Sequence, residues 1–289
     1  MALRGPPGER SVDELLSFGV VNLDKPPGPS AHQVAAWVRD MAGVDRAAHA
    51  GTLDPKVTGC LPMLLGDATR MAQVFDDSDK EYVAVLQLHG PAPADFEAVL
   101  AEFEGDIYQK PPKKSAVVRR LRSREIFDLE VLELEERRAL VRIRCESGTY
   151  IRKLCHDVGL ALGTGAHMGH LRRAGTDPFD DTDLSTLEDL SDALAWADEG
   201  DTEPLHEVVR PAEDALVELP SATIADSAAR EVAEGAPVYA PGLIDVDDVS
   251  QGTLVACYTP AGAAVCLGRL VGDPDSDAGT VIELERVLV

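Results

Sequence analysis

Strand-like and helix-like apolar patterns both occur along this chain, but they never form a regular strand–helix–strand repeat. Apolar runs predict strands at 19–24, 57–65, 81–89, 126–134 and 139–146, and 3–4 spacing predicts helices at 31–41, 68–75, 93–104 and 149–162. Parallel strands need crossovers, which such a repeat supplies. The pattern therefore predicts an α+β fold with a mixed, largely antiparallel sheet flanked by helices.

The pattern changes after residue 218. Short strand-like segments interrupted by glycine occur at 222–224, 252–258, 263–268 and 281–284, which predicts a small β-barrel-like domain. The stretch before them is acidic and contains one helical segment at 184–197. We therefore expect two domains: residues 1–218, including an acidic linker at 177–218, and residues 219–289.

Composition indicates where such a protein works. The 289 residues include 51 acidic and 27 basic side chains, a net charge of −24, and only seven of the cations are lysine. This balance indicates a protein kept soluble in molar salt, the alternative being an ordinary acidic protein. The sequence shows no long apolar run, no apolar N-terminal segment and no Cys-x-x-Cys pair among its five cysteines. We expect a cytoplasmic protein without disulfides or membrane contact.

Positive charge is concentrated in one region. Residues 107–173 carry a net charge of +7, and the run 110–124 contains seven cations and no anion. One interpretation is a solvated basic loop, but in so acidic a chain a phosphate-contacting surface explains the run better. The candidate phosphate contacts are Lys110, Lys113, Lys114, Arg119, Arg120 and Arg122.

One loop and one helix hold the candidates for catalysis. Asp54 lies between Gly51 and Pro55, so a restricted turn could present its carboxylate as a nucleophile or base; an Asx turn or a helix cap is the alternative. Arg152 lies near the start of the helix at 149–162, off its apolar face, where it could reach a neighbouring loop or face solvent. The histidines of this region lack the partners of a metal site, so we expect no bound metal.

Taken together and in order, the motifs closely resemble those of the TruB/dyskerin family of RNA pseudouridine synthases. The matching stretches are 23–30 (LDKPPGPS), 49–55 (HAGTLDP), 80–82 (KEY), 109–116 (QKPPKKSA), 147–155 (SGTYIRKLC) and 170–173 (HLRR). Residues 219–228, 235–242 and 252–256 resemble a PUA domain, which implies an RNA-binding role for the second domain. Only the N-terminus and the acidic linker lie outside the resemblance.

The resemblance implies a site and a mechanism. Asp54 matches the catalytic aspartate, which attacks the target nucleotide at the base or at the ribose C1′; the uracil then turns and is rejoined through C5. Tyr82 matches a tyrosine that stacks on the uracil and helps to remove the proton, and Arg152 matches the arginine that pairs with the aspartate. His49 matches a loop histidine near the displaced base, and Leu171 an apolar residue at the pocket.

Two further residues complete the expected substrate and RNA contacts. Lys25 matches a motif that braces the catalytic loop, and Tyr150 precedes the arginine in its motif. Because isomerisation changes neither composition nor redox state, we expect no cofactor. In a dry pocket, loss of Arg152 would leave a buried charge unpaired and cost about 3–5 kcal/mol.

The sequences at 54–59 and 150–156, with the basic run, resemble the archaeal and eukaryotic dyskerin-type branch. That branch provides the catalytic subunits of H/ACA guide-RNA particles. The resemblance implies guide RNA, ribosomal RNA and tRNA as RNA partners. It implies two small core proteins and a kink-turn-binding ribosomal-type protein as protein partners.

The expected function is isomerisation of specific uridines to pseudouridine. In molar salt counterion release adds little to RNA affinity, which favours a substrate held by a guide RNA and partner proteins. Two alternatives remain open. One is a guide-independent synthase that acts on the T-loop uridine of tRNA, and the other is a non-catalytic scaffold of an RNA particle.

Overall fold

The computed structural model describes residues 3–111, 118 and 120–289. The strands are β1 Gly19–Lys25, β2 Ala47–His49, β3 Thr58–Leu65, β4 Lys80–Leu88, β5 Gly105–Gln109, β6 Arg122–Leu134, β7 Arg138–Cys145, β8 Ala166–Thr176, β9 Phe179–Asp180, β10 Arg210–Pro211, β11 Ser221–Ile224, β12 Val238–Tyr239, β13 Leu243–Val246, β14 Leu254–Tyr258, β15 Ala264–Leu270 and β16 Thr280–Val287. The α-helices are α1 Val12–Ser17, α2 Ala31–Met41, α3 Phe96–Ala101, α4 Ile151–Ala161, α5 Leu187–Glu199, α6 Glu203–Val208 and α7 Asp226–Ala233. Short 3-10 helices cover Pro7–Glu9, Gly66–Phe75, Ala212–Leu216 and Ala240–Gly242. None of the helices in these ranges is long and apolar enough to cross a membrane.

Strands β1 to β10 form one sheet. Its order is β10–β1–β3–β8–β4–β7–β6–β5, with β2 beside β3 and β9 beside β8. In the described part of the chain, every adjacent pair in this sheet is antiparallel except β3 with β8. Helix α2 packs near β2 and β3, and α4 packs near β8. The predicted α+β fold with a largely antiparallel sheet is confirmed.

The parallel junction between β3 and β8 depends on Gly59. Gly59 lies opposite Arg173 in the register and has a φ of +97°. A Cβ at this position would lie 2.2 Å from the carbonyl oxygen of Arg173. The two halves of the sheet therefore meet where only glycine lets the backbones approach so closely.

Several elements differ from the sequence prediction, among them the following three. The central strand β8 was not predicted, because its sequence AHMGHLRRAGT is polar and shows no apolar alternation. The helix expected at 93–104 is confined to α3. The stretch expected as a helix at 68–75 belongs to a 3-10 helix, Gly66–Phe75.

Strands β11 to β16 form a second sheet in the order β12–β16–β15–β14–β11–β13. Helix α7, which the sequence analysis did not predict, packs near β12 and β15. The inward side chains of this sheet and of α7 form a separate core cluster. The predicted small barrel-like second sheet is confirmed.

The acidic stretch 177–218, which the sequence analysis described as a linker within the first domain, packs against both sheets. Leu190 of α5 and Leu205 of α6 are fully buried in the core of the large sheet, and β10 pairs with β1. Leu216 belongs to a cluster that also contains Leu267 of the second sheet. Many apolar residues of this stretch pack inward, and of its charged residues Glu213 is buried as well.

Candidate active site

The loop between β2 and β3 presents Asp54 to solvent. The backbone N–H of Val57 donates to the carbonyl of Asp54 over 3.0 Å, which closes a four-residue turn with Pro55 at its second position. Leu53 is buried in the core under the loop. The Asp54 side chain stays 53% exposed. The restricted turn expected around this aspartate is therefore present.

Lys25 fastens the downstream side of this loop from inside the protein. It is 0% exposed, and its Nζ donates to the carbonyls of Pro26 (2.9 Å), Pro55 (3.1 Å) and Val57 (2.9 Å). Burial lowers the pKa of the Lys25 ammonium. The expectation that Lys25 contacts RNA is wrong, because a fully buried ammonium held by three carbonyls cannot reach a phosphate. It lies where the family resemblance puts a loop-bracing residue.

Arg173 fastens the upstream side of the same loop. It is 1% exposed, and its Nε donates to the carbonyl of Cys60 over 2.7 Å. One Nη donates to the carbonyl of Ala50 over 3.1 Å and to that of Gly51 over 3.4 Å. Gly51 has a φ of +81°, and a Cβ there would lie 3.3 Å from the guanidinium. Glycine therefore lets the arginine pass closely under the loop.

Tyr82 connects to the loop through Arg173. It lies opposite Arg173 in the pairing of β4 with β8 and is 9% exposed. Burial raises the pKa of the Tyr82 phenol, and Arg173 partly counters this shift. Lys80, two residues earlier on β4, donates to the carbonyl of Phe75 over 3.1 Å, and burial lowers its pKa to about 8.

Arg152 reaches Asp54 from helix α4, and the two side chains form an ion pair. Gln109, the last residue of β5, fixes the start of that helix. Its side chain accepts a hydrogen bond from the N–H of Tyr150 over 2.9 Å and donates to the carbonyl of Tyr150 over 3.2 Å. Ile151 is buried, so the next side chain, Arg152, projects away from the core.

The ion pair lies at the surface rather than in a dry pocket. The Arg152 and Asp54 side chains are 52% and 53% exposed. The expected loss of about 3–5 kcal/mol on removing the arginine is therefore wrong, since that magnitude applies to buried pairs. Water reaches both groups, and a pair of this exposure contributes about 0–1 kcal/mol to stability.

His49 and Leu171 lie on the two strands that flank the site. The ring of His49 meets that of His32 edge to face, with centroids 5.7 Å apart. Burial, helped by the charges of His32 and Arg173, lowers the pKa of His49, so its imidazole is neutral at neutral pH. Its Nδ1 is buried and has no hydrogen-bond partner in the described part of the chain. Leu171 on β8 is half-buried and packs against the main core.

The basic run starts beside the helix that carries Arg152. Lys110 follows Gln109, whose side chain holds the start of α4, and is exposed. Arg120 is exposed and Arg122 is half-buried at the start of β6. The remaining predicted contacts, Lys113, Lys114 and Arg119, lie outside the described residues.

The arrangement can perform carboxylate chemistry on a nucleotide. A carboxylate held in a braced turn, with a guanidinium beside it, is preorganised as a nucleophile or base. Tyr82 is linked to this loop through Arg173 and is buried. In the ranges that the structure describes, no group of three His, Cys, Asp or Glu side chains could hold a metal ion.

Sequence reasoning missed two residues that position the site, Arg173 and Gln109. Both stand inside motifs that carry the family resemblance, 170–173 and 109–116, and that was the available signal. The sequence does not show which of the two arginines at 172 and 173 is buried, because the register of β8 decides it.

Models of four protein families together match nearly the whole chain. The N-terminal domain of the TruB family of pseudouridylate synthases matches residues 39–151, and the C-terminal domain of tRNA pseudouridylate synthase B matches 152–217. The DKCLD domain matches residues 5–35, and the PUA domain matches 220–276.

Similar proteins come from salt-loving and other archaea. A protein of Halobacterium salinarum named "Probable tRNA pseudouridine synthase B" is 66% identical over 100% of both chains. A protein of the same name from Haloarcula marismortui is 66% identical over 100% of this chain and 94% of its own. These relatives agree with the halophilic interpretation of the composition.

Solved structures also contain chains that are similar to this one over nearly its whole length. The structure titled "Crystal Structure of a Cbf5-Nop10-Gar1 Complex" contains a chain 43% identical to this one, with a TM-score of 0.93 over 99% of this chain and 90% of that chain. An H/ACA RNP bound to a substrate RNA containing 2′-deoxyuridine contains a chain 41% identical, with a TM-score of 0.91 over 99% and 90%.

Proposed function

This chain belongs to the TruB family of pseudouridine synthases, and from this premise we propose that it is the catalytic subunit of an H/ACA guide-RNA particle. It isomerises specific uridines of ribosomal RNA and tRNA to pseudouridine. The observation that carries the proposal is the ion pair of Asp54 with Arg152 on a loop braced by Lys25 and Arg173.

Asp54 supplies the attacking carboxylate. Its turn is fixed from both sides, so little conformational entropy is lost when a nucleotide approaches. Arg152 orients the carboxylate. The Asp54 carboxylate bonds to the ribose C1′ or to the base, the bond between the uracil N1 and C1′ breaks, and the uracil turns. C5 then bonds to C1′, the bond to Asp54 breaks, the C5 proton is lost and N1 takes up a proton.

Tyr82 and His49 receive the flipped base. Because burial raises the pKa of the Tyr82 phenol, the hydroxyl stays protonated at neutral pH and the ring offers a neutral stacking face. The neutral imidazole of His49 adds a polar group on the loop itself, and Leu171 supplies an apolar contact. Taking a base out of its stack costs a few kcal/mol, which these contacts offset.

Guide dependence is supported by similarity and by charge. The 43% identical chain is part of a Cbf5-Nop10-Gar1 complex, and the 41% identical chain is part of an H/ACA RNP with substrate RNA. A net charge of −24 suits a cytoplasm of molar salt, where counterion release adds little to affinity. Partners of this chain are accordingly a guide RNA, two small core proteins and a kink-turn-binding ribosomal-type protein.

The two parts of the chain have different roles. Residues 1–218 carry the catalytic site, and residues 219–289 bind RNA. The basic run, including Lys110, Arg120 and Arg122, contacts RNA phosphates beside the helix that carries Arg152. Lys113, Lys114 and Arg119 are proposed for the same contact from their place in the sequence.

A second candidate is a synthase that modifies free tRNA without a guide. The relatives' own name, "Probable tRNA pseudouridine synthase B", favours it. Both activities can reside in one chain, because each needs the same catalytic loop.

The test measures pseudouridine formation in molar KCl on two substrates: a free tRNA transcript, and a target RNA with guide RNA and partner proteins. Activity in the assembled particle alone supports guide dependence, and activity on free tRNA supports the second candidate. Asp54→Ala is the control in both. If neither substrate yields product that depends on Asp54, the chain is a scaffold rather than a catalyst on these RNAs.

A further inference from the structure

Four arginines on the surface of this acidic protein each face two carboxylates. Arg142 lies 3.7 Å from Glu81 and 2.8 Å from Glu130. Three further arginines also have two acidic partners each: Arg144 with Asp79 and Asp177, Arg172 with Asp24 and Asp181, and Arg210 with Asp183 and Asp214. Anions exceed cations in these networks, as the net charge of −24 leads one to expect.

Around Asp67, in contrast, cations outnumber anions. Its two carboxylate oxygens face three guanidinium groups: Arg4 at 3.2 Å, Arg46 at 3.1 Å and Arg70 at 3.2 Å. We call these three residues the Asp67 arginine cluster. Nearby Arg10 adds no free charge, because it is paired with Glu213. Three cations on one anion leave an excess of two positive charges.

The cluster is held in place by backbone contacts. An Nη of Arg4 donates to the carbonyl of Leu288 over 2.6 Å, and the Arg4 guanidinium lies 4.0 Å from the centroid of the Phe18 ring. An Nη of Arg70 donates to the carbonyl of Val287 over 3.3 Å. Two of the three cations are therefore fixed before any ligand arrives.

Arg46 is the member that faces solvent. Its side chain is 56% exposed, and its one ion pair among the described residues is that with Asp67. A guanidinium has five N–H donors, and the contact with Asp67 uses one Nη of Arg46. The remaining donors can bind a phosphate in the forked geometry that guanidinium groups favour.

The cluster lies between the catalytic loop and the second sheet. Arg46 immediately precedes β2, and His49 is the last residue of that strand, so about 10 Å of extended chain separates the two residues. The carbonyls that hold Arg4 and Arg70 belong to the end of β16 and the residue after it. Arg46 therefore lies on the segment that leads into the catalytic loop, while Arg4 and Arg70 contact the second sheet.

We propose that the Asp67 arginine cluster binds a phosphodiester of the RNA backbone, with Arg46 as the contacting residue and Arg4 and Arg70 as fixed supporting charges. The inference rests on the proposed function, since it assumes that RNA reaches the catalytic loop. It adds a phosphate site outside the basic run at 110–124. The negative charge of the RNA backbone offsets the positive charge of the three arginines that Asp67 alone does not neutralise.

The test compares Arg46→Gln with Arg138→Gln. Arg138 is a matched control: its side chain is 60% exposed, it pairs with Glu135, and it lies in the hairpin between β6 and β7. Both variants lose one positive charge. The probe is a fluorescein-labelled tRNA transcript, and its affinity is measured by anisotropy at a series of KCl concentrations, with inorganic phosphate as a competitor in a second arm.

We expect Arg46→Gln to weaken RNA binding and to reduce the slope of log affinity against log salt by about 1, whereas Arg138→Gln leaves the slope unchanged. Equal slopes for the two variants would overturn the proposal. So would a change confined to competition by inorganic phosphate, because the site would then bind free phosphate rather than RNA. Pseudouridine formation by the wild type is assayed separately, so a failure of the proposed function is recognised independently of this comparison.

Discussion

We expect Arg152 to contribute to activity rather than to stability, because its ion pair with Asp54 is half exposed. We predict that Arg152→Gln lowers the rate of pseudouridine formation by about 10²-fold or more, since the carboxylate loses its orienting partner. The free energy of unfolding should change by less than about 1 kcal/mol. Enzyme assay and chemical denaturation in molar KCl measure the two effects.

The control for that experiment is Arg142→Gln. Arg142 is also about half exposed and paired with a carboxylate, Glu130, but it lies outside the site. Activity should persist in this variant. A loss of several kcal/mol in stability for Arg152→Gln, with Arg142→Gln unaffected, would contradict the surface position of the catalytic pair.

Lys80 makes stability depend on pH. Burial lowers its pKa to about 8 in the folded protein, from 10.5, so between these values the unfolded chain binds more protons. Stability therefore rises with pH from about 8 to about 10.5, by at most about 3 kcal/mol. We predict that this rise is smaller in Lys80→Met than in the wild type, as measured by denaturant unfolding across this pH range. Equal pH dependence in the two proteins would refute the assignment.

The junction of β3 with β8 is the element whose disturbance should affect both stability and the site. Gly59→Ala would place a Cβ 2.2 Å from the carbonyl oxygen of Arg173 at a φ of +97°. We predict that the free energy of unfolding falls by about 3 kcal/mol or more, as measured by denaturant unfolding. Activity should fall as well, because Arg173 holds the catalytic loop.

The variant Gly43→Ala separates the effect of backbone strain at a positive φ from the effect of a steric clash with a neighbouring strand. Gly43 has a φ of +64°, but a Cβ there would meet nothing within 4 Å. The free energy of unfolding of this variant should fall by only about 1–2 kcal/mol, and its activity should be retained. Equal losses for the two variants would show that backbone strain alone, and not the close approach of the strands, explains the effect at Gly59.

Elements with a clear apolar period could be predicted from the sequence, whereas β8 could not. Strand β4 alternates between buried and less buried positions along its whole length, and α2 begins with a capping box at Ser30 and Gln33. Strand β8 contains two histidines and two arginines. Its strand conformation comes from pairing on both edges, and the burial of Arg173 comes from carbonyl acceptors that the sequence does not reveal.

The candidate site was predicted in part for the same reason. The pairing of Arg152 with Asp54 followed from the family motifs, and the structure brings the two side chains together. The burial of Lys25 did not follow, because a lysine in a Pro-rich loop is ordinarily exposed. Its three carbonyl acceptors come from Pro26 and from a segment about thirty residues away.

At the scale of the whole molecule, a buried ion pair joins distant segments. Arg10, 3% exposed, donates two hydrogen bonds to Glu213, at 2.7 and 2.6 Å, and Glu213 also accepts from the N–H of Ala264 on β15 over 2.9 Å. We predict that Glu213→Gln lowers stability by about 3–5 kcal/mol, because it leaves the Arg10 charge buried without a counterion.

Denaturant unfolding measures this loss, with Glu130→Gln as the control. Glu130 is 52% exposed and also pairs with an arginine, Arg142, so its loss should be about 0–1 kcal/mol. Similar small losses in both variants would show that the Arg10–Glu213 pair does not stabilise the junction between the large sheet and the second sheet.

We propose that a braced loop presents the Asp54 carboxylate to a target uridine. The most direct measurement is single-turnover pseudouridine formation by Asp54→Asn in the particle assembled with guide RNA and partner proteins. This variant keeps the size of the side chain and removes its charge and nucleophilicity. We predict undetectable product with unchanged RNA affinity. Pseudouridine formed by Asp54→Asn at a rate near that of the wild type would contradict it.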